Sequence, residues 1–168
     1  MELWSRVLMA LGAVVVVAAC DPSGQGYEDL RLARLKVGES SEKEVRQLFG
    51  NPYAVRDVAG GKGLVYPLGP EGVHTLLIRI GPDGKYQGRE DLLTRANFQR
   101  VNTGMKQTDV LVVLGPPGRT QEYKLKHETA WEWRFKDGSE TRVFVVMFSS
   151  AGQVVSTAVE EPPRIGGG

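Results

Sequence analysis

Cysteine is almost missing from this chain: Cys20 is the only one in 168 residues. A lone thiol excludes an intramolecular disulfide framework and any cysteine-based zinc cluster. Histidine is nearly as scarce. His74 and His127 stand 53 residues apart with no Glu or Cys at metal-ligand spacing, which places them at the surface or the core edge and not in a metal site. An excess of one charge is also lacking. With 21 basic and 20 acidic residues the net charge is +1, so nothing electrostatic points to a nucleic acid or another polyanion as partner. No apolar run reaches the roughly 20 residues of a membrane-spanning helix. What is present, 41% hydrophobic and 24% charged residues, is the composition of a globular domain.

The longest apolar stretch, Val7–Ala19, follows Arg6 and ends in small residues before Cys20. Its thirteen residues suit a cleavable signal segment, the alternatives being a short membrane anchor or a buried amino-terminal helix. We read residues 1–19 as a lipoprotein signal peptide and Val17-Ala18-Ala19-Cys20 as similar to a bacterial lipobox, in which the cysteine carries the lipid. That covalent lipid on Cys20 is the only non-protein group expected. No metal or other cofactor is. Several acyl chains on one residue hold a protein stably at a membrane, whereas one does not. Residues 20–26, with Pro22, Ser23, Gly24 and Gly26, form a polar tether. Asp21 resembles the signal that keeps some lipoproteins in the inner membrane, so that membrane stays possible beside the outer one.

The rest of the chain is organised by a duplication. Leu35–Pro52 and Val101–Pro117 pair Val45 with Val110, Gly50 with Gly115 and Pro52 with Pro117 at an offset of 65 residues. Leu76–Ile80 and Phe144–Phe148 repeat at an offset of 68. This period exceeds that of the common solenoids and marks two copies within one duplicated domain, residues 27–93 and 94–160. Each copy opens with two short helical segments broken at Gly38 or Gly104, the second ending at Gly50 or Gly115 just before proline. Ser41 and Glu44 have the capping-box spacing; in the second copy Lys106 replaces the serine, so a cap from Thr108 or Asp109 requires a shorter helix.

After each helix the apolar period becomes two. Strands are expected at Tyr53–Val58, Gly63–Pro67, Val73–Ile80 and Lys85–Glu90, and again at Thr120–Lys126, Thr129–Phe135, Thr141–Phe148 and Val154–Val159. The fold class is then α+β: two tandem repeats of a helix pair and an antiparallel β-meander, joined in one continuous sheet with helices on one face. Residues 161–168, rich in proline and glycine, read as a disordered tail.

No catalytic constellation emerges. Gly60-Gly-Lys-Gly63 lacks the spacing of a phosphate loop, Pro82-Asp83-Gly84 is a turn with too few carboxylates for calcium, and the acidic pairs are solvated charges. The chain reads as a non-enzyme. What could bind a partner protein is an aromatic set: Trp131, Trp133 and Phe135 on one face of a strand, with Tyr123 nearby and Tyr66 at the repeat-equivalent place. Under helices these residues are core; on an open face they are an interface.

The lipobox, the tether, the helix motif Gly104-Met105…Val110…Leu114-Gly115…Pro117 and the strands Trp131–Phe135 and Val143–Phe148 together resemble the small envelope lipoproteins of the BamE (SmpA/OmlA) family. The first copy matches through Gly38, Val45, Gly50 and Pro52. The resemblance implies a non-enzymatic subunit that supports insertion of β-barrel proteins into the outer membrane, through contacts with the β-barrel assembly complex and with lipid. Tandem copies also resemble the two-repeat β-lactamase-inhibitor fold, which implies instead a periplasmic inhibitor or regulatory lipoprotein.

Overall fold

The computed structural model describes residues 30–69 and 72–162. The signal segment, Cys20, the tether, the start of the first helical segment and all but the first two residues of the tail lie outside them.

The first repeat begins with a single 3₁₀ turn, Leu32–Arg34, where a helix was expected. Helix α1 (Glu42–Phe49) follows, with Ser41 as its N-cap: Glu44 N–H donates to Ser41 Oγ at 3.3 Å, and Ser41 N–H donates to Glu44 Oε2 at 2.7 Å. Then come β1 (Ala54–Val58), β2 (Gly61–Pro67), β3 (Thr75–Ile80) and β4 (Tyr86–Asp91), an antiparallel meander. The second repeat holds α2 (Arg95–Phe98), α3 (Gln107–Leu114) and the meander β5 (Arg119–Tyr123), β6 (Glu128–Asp137), β7 (Glu140–Phe148) and β8 (Val154–Glu160). Losing the serine cap does not shorten α3, which has the same eight residues as α1. Lysine has no acceptor to offer. The reciprocal half of the box remains, Lys106 N–H donating to Asp109 Oδ2 at 3.1 Å.

The expected continuous α+β sheet is not formed. The strands make two separate four-stranded sheets, and the described residues are mostly β, with no helix longer than eight residues. Helices do not lie on one face only, either. Val45 of α1 packs with Leu32 and Leu35 on one face of the first sheet, over Leu64, Tyr66, Leu76, Ile78 and Ile80. The carboxyl end of α3 meets the opposite face: a Cβ built on Gly115 lies 2.8 Å from Thr75 Cγ2 and 3.4 Å from Val65 Cγ1. On its other side α3 packs Val110, Val113 and Leu114 against Trp133, Phe135, Phe144, Val146 and Phe148 of the second sheet. Helix α3 is more apolar than α1, with Leu111 and Val112 where α1 has Arg46 and Gln47, but its first turn, Gln107-Thr108-Asp109, is polar and Val112 is exposed. Only its carboxyl end reaches the first sheet, where Arg56 of β1 also donates to Val112 O. β4 and β5 are separated in the chain by α2 and α3, and no ladder joins the two sheets.

Within each half the backbone bonding is duplicated. Gly38 N–H donates to Tyr86 O and Gly104 N–H to Val154 O; Tyr53 N–H donates to Val65 O and Gly118 N–H to Glu132 O. Both meanders carry a bulge at the same place, between Arg79 and Ile80 and between Met147 and Phe148. Different side chains also make one equivalent bond. Tyr66 Oη donates to Gly50 O at 3.0 Å, and Trp133 Nε1–H donates to Gly115 O at 3.3 Å, each satisfying the carbonyl at a helix end.

Candidate partner-binding surfaces

The five aromatic residues singled out in the sequence fall in three places. Trp133 and Phe135 are each 1% exposed and belong to the core of the second half, where Phe98 stacks on Phe144 at 4.3 Å and meets Phe135 edge-on at 4.6 Å. Trp131 shares their face and is partly buried, its ring 4.7 Å from Phe148. Tyr66 occupies the equivalent core of the first half, tilted on Phe49 at 5.3 Å. Burial pushes its hydroxyl above the ordinary tyrosine value. Tyr123, by contrast, is 45% exposed at the end of β5. So the stripe Trp131–Trp133–Phe135 is brought together, and it is turned toward α2 and α3. Tyr123 stands apart from it in the solvent.

Beside Tyr123 is a residue that the sequence reading did not single out. Lys124–His127 forms the tight turn between β5 and β6, and Leu125 at its tip is fully exposed, flanked by Lys124 and Lys126. Alternation had suggested that the strand runs on to Lys126. It stops at Tyr123 because the chain reverses there, with His127 at φ 52°. Elsewhere Val112 of α3 is 61% exposed.

The histidines take different roles. His127 sits in the exposed turn, whereas His74 is buried and its Nδ1 lies 2.5 Å from Asp91 Oδ2. Asp91 Oδ1 also accepts from Thr75 N–H at 3.2 Å and Leu93 N–H at 2.9 Å. One carboxylate thus ties the start of β3, the end of β4 and the entry to α2. The 17-residue separation of the pair carries no local signal, so only the sheet register reveals it. His74 borders a cleft of about 300 Å³ between the two halves, with walls formed by Pro67, Leu93, Pro116, Pro117 and Trp133. Among the described residues no group of three or more His, Cys, Asp or Glu side chains could hold a metal.

Three surface ion pairs fix local geometry. Lys62 Nζ lies 2.7 Å from Glu42 Oε2 and Arg46 Nη2 lies 2.8 Å from Glu42 Oε1; the hydrogen bond from Lys62 is foremost in holding the Glu42 carboxyl below its usual range. Arg95 pairs with Asp137, and their hydrogen bond lowers the Asp137 carboxyl.

No protein-family model matches this chain, and neither does any curated protein. Solved structures do resemble it in part. One is named for the osmotically inducible lipoprotein OsmE, with 24% identity over 42% of this chain and 68% of that one, at a TM-score of 0.35. Another is named as a β-lactamase inhibitor protein from Streptococcus mutans, with 16% identity over 79% of this chain and 97% of that one, at a TM-score of 0.33. A third is a DUF4309 family protein (YjgB) from Bacillus subtilis, with 13% identity over 77% and 83% of the two chains, at a TM-score of 0.30. A lipoprotein and an inhibitor-named protein are thus both among the structures this chain is similar to, and superpositions this loose carry no function across.

Proposed function

We propose that this chain is a lipid-anchored binding protein of the cell envelope, facing the periplasm, that acts by holding a partner protein and not by catalysis. The observation that carries the reading is Cys20: the only cysteine of the chain, placed at the end of a thirteen-residue apolar segment behind Arg6. In the reading that the BamE resemblance implies, the partner is the β-barrel assembly complex and the anchor is in the outer membrane, with the inner membrane as the alternative suggested by Asp21. The absence of a catalytic constellation in the sequence agrees with a supporting role in β-barrel insertion or envelope integrity.

A second reading, as a periplasmic inhibitor or regulatory lipoprotein, is favoured by one specific feature. The turn at Lys124–His127 projects a fully exposed leucine between two lysines, a shape that can enter a cleft of another protein.

Membrane fractionation with mass spectrometry of the amino terminus, on the native protein and on Cys20→Ala, tests the anchor. Acylated Cys20 in the outer membrane supports the assembly role. The same modification confined to the inner membrane keeps the lipoprotein but removes direct participation in β-barrel assembly. An unmodified, uncleaved chain overturns the reading. Crosslinked pull-downs then separate the two partners: envelope-assembly proteins for the first reading, a soluble enzyme lost on Leu125→Asp for the second.

A further inference from the structure

Each sheet has two edge strands, β1 and β4 in the first and β5 and β8 in the second. An edge strand offers a row of backbone donors and acceptors to any extended chain, and proteins commonly blunt such edges with charge. Three of the four follow that rule. β1 contains Arg56 and Asp57, β4 contains Arg89, Glu90 and Asp91, and β5 contains Arg119 and Glu122. β8 does not, running Val-Val-Ser-Thr-Ala-Val before its only charge, Glu160. The duplication sharpens the contrast. β4 and β8 are equivalent strands, and the register sets Arg89-Glu90-Asp91 in the places of Thr157-Ala158-Val159.

The start of β8 is closed, since Gly104 N–H donates to Val154 O and Val154 N–H donates to Met105 O. Beyond it, among the described residues, β8 pairs only with β7, and Val155 to Glu160 are all exposed. Alongside this edge, on the helix side of the sheet, lies a groove of about 330 Å³. Its apolar walls are Phe98 and Val101 below α2, Phe144 of β7 and Val159 of β8; Thr157 lies between, and Arg95 and Gln99 stand at the α2 side. A strand added to β8 sends every second side chain toward that face. The row of backbone groups and the apolar groove therefore ask for the same ligand.

We propose that the β8 edge is a strand-addition site, which takes an extended segment of a partner protein as a fifth strand with apolar side chains at alternate positions seated between Phe98, Val101 and Phe144. Backbone bonds supply the attachment, and the groove selects the alternation. A second copy of this chain is a poorer occupant. Its own β8 offers only Thr157 and Val159 at the corresponding alternate positions, smaller side chains than the leucine or phenylalanine that a partner can seat between the walls. The site rests on the reading of this chain as a binding protein, and it is independent of where the chain is anchored.

The test uses the full chain in mild detergent, whatever the state of its amino terminus, and a panel of labelled peptides of about seven residues alternating Val, Leu or Phe with Thr, a length matched to β8. Fluorescence anisotropy is expected to show saturable binding for at least one peptide. N-methylation of alternate peptide nitrogens is expected to weaken it by about tenfold or more, as loss of several backbone hydrogen bonds requires. The variant Thr157→Arg/Ala158→Glu/Val159→Asp, which carries the charges of β4, is expected to lose binding to a similar degree with an unchanged circular-dichroism melt; Val159→Lys alone serves if the triple variant does not fold. No binding by any peptide up to millimolar concentration overturns the proposal. So does binding that survives both N-methylation and the edge variants, or a wild-type dimer in sedimentation that Val159→Lys dissociates. None of these readouts involves Cys20, so a failed titration leaves the fractionation result standing, and the reverse.

Discussion

Adding one methyl group to Gly50 and to Gly115 distinguishes a helix end with open space around it from one that abuts the sheet of the other repeat. These glycines are repeat equivalents with nearly the same backbone, φ 79° and ψ −157° for the first and φ 75° and ψ −168° for the second. That region belongs essentially to glycine, and a side chain there costs about 1–3 kcal/mol. At Gly50 nothing lies within 4 Å of the added Cβ, so Gly50→Ala should cost that strain alone. At Gly115 the Cβ falls 2.8 Å from Thr75 Cγ2 and 3.4 Å from Val65 Cγ1. Thr75 is β-branched and only 2% exposed, so it has little room to turn away. Overpacking of this kind adds about 1–3 kcal/mol, so Gly115→Ala should cost about 2–6 kcal/mol in all. Urea denaturation of both variants measures the difference. A partner substitution then locates the clash: Thr75→Ser removes the offending methyl, and combined with Gly115→Ala it should recover about 1–2 kcal/mol relative to additivity. Equal costs at the two glycines, or strictly additive behaviour in the cycle, would refute the placement of α3 against the first sheet.

Two further expectations test the local chemistry. Lys106→Ser should complete the capping box that Asp109 already half forms, and stabilise the chain by about 0.5–1 kcal/mol in the same denaturation assay. Tyr66→Phe leaves Gly50 O without its donor and should cost about 1–2 kcal/mol at neutral pH. Because burial raises the folded-state pKa of Tyr66, its contribution is complete below the unfolded value of about 10 and is lost as pH rises through the folded value. The phenylalanine variant should therefore lose less stability than wild type between neutral and strongly alkaline pH.

Much of the fold was legible because period-two and helix-stop signals are local. Gly50 and Gly115 mark the helix ends, the eight strands lie close to their expected spans, and the matched bulges show that the register itself is duplicated. The first helical segment was legible in the second repeat, as α2, and not in the first. Leu30, Leu32 and Leu35 have helical spacing, yet the described part forms only one 3₁₀ turn, since a few apolar contacts fix Leu32 and Leu35 against the sheet without a regular helix. Nor was the His74–Asp91 pair, which depends on the start of one strand meeting the end of the next. Leu125 looked like one more residue of a strand until the turn exposed it.

By itself the sequence determined the duplication, the helix stops at Gly50 and Gly115, the approximate strand spans, and Cys20 as the candidate anchor, because each depends on residues close together in the chain. Whether the two meanders share one sheet was beyond it. That depends on long-range pairing between strands, and the approach of Gly115 at the end of α3 to Val65 and Thr75 of the other repeat likewise carries no local signal. The fate of the aromatic stripe was settled the same way. Alternation puts Trp131, Trp133 and Phe135 on one side of a strand, and only the packing of α2 and α3 decides that this side is the interior.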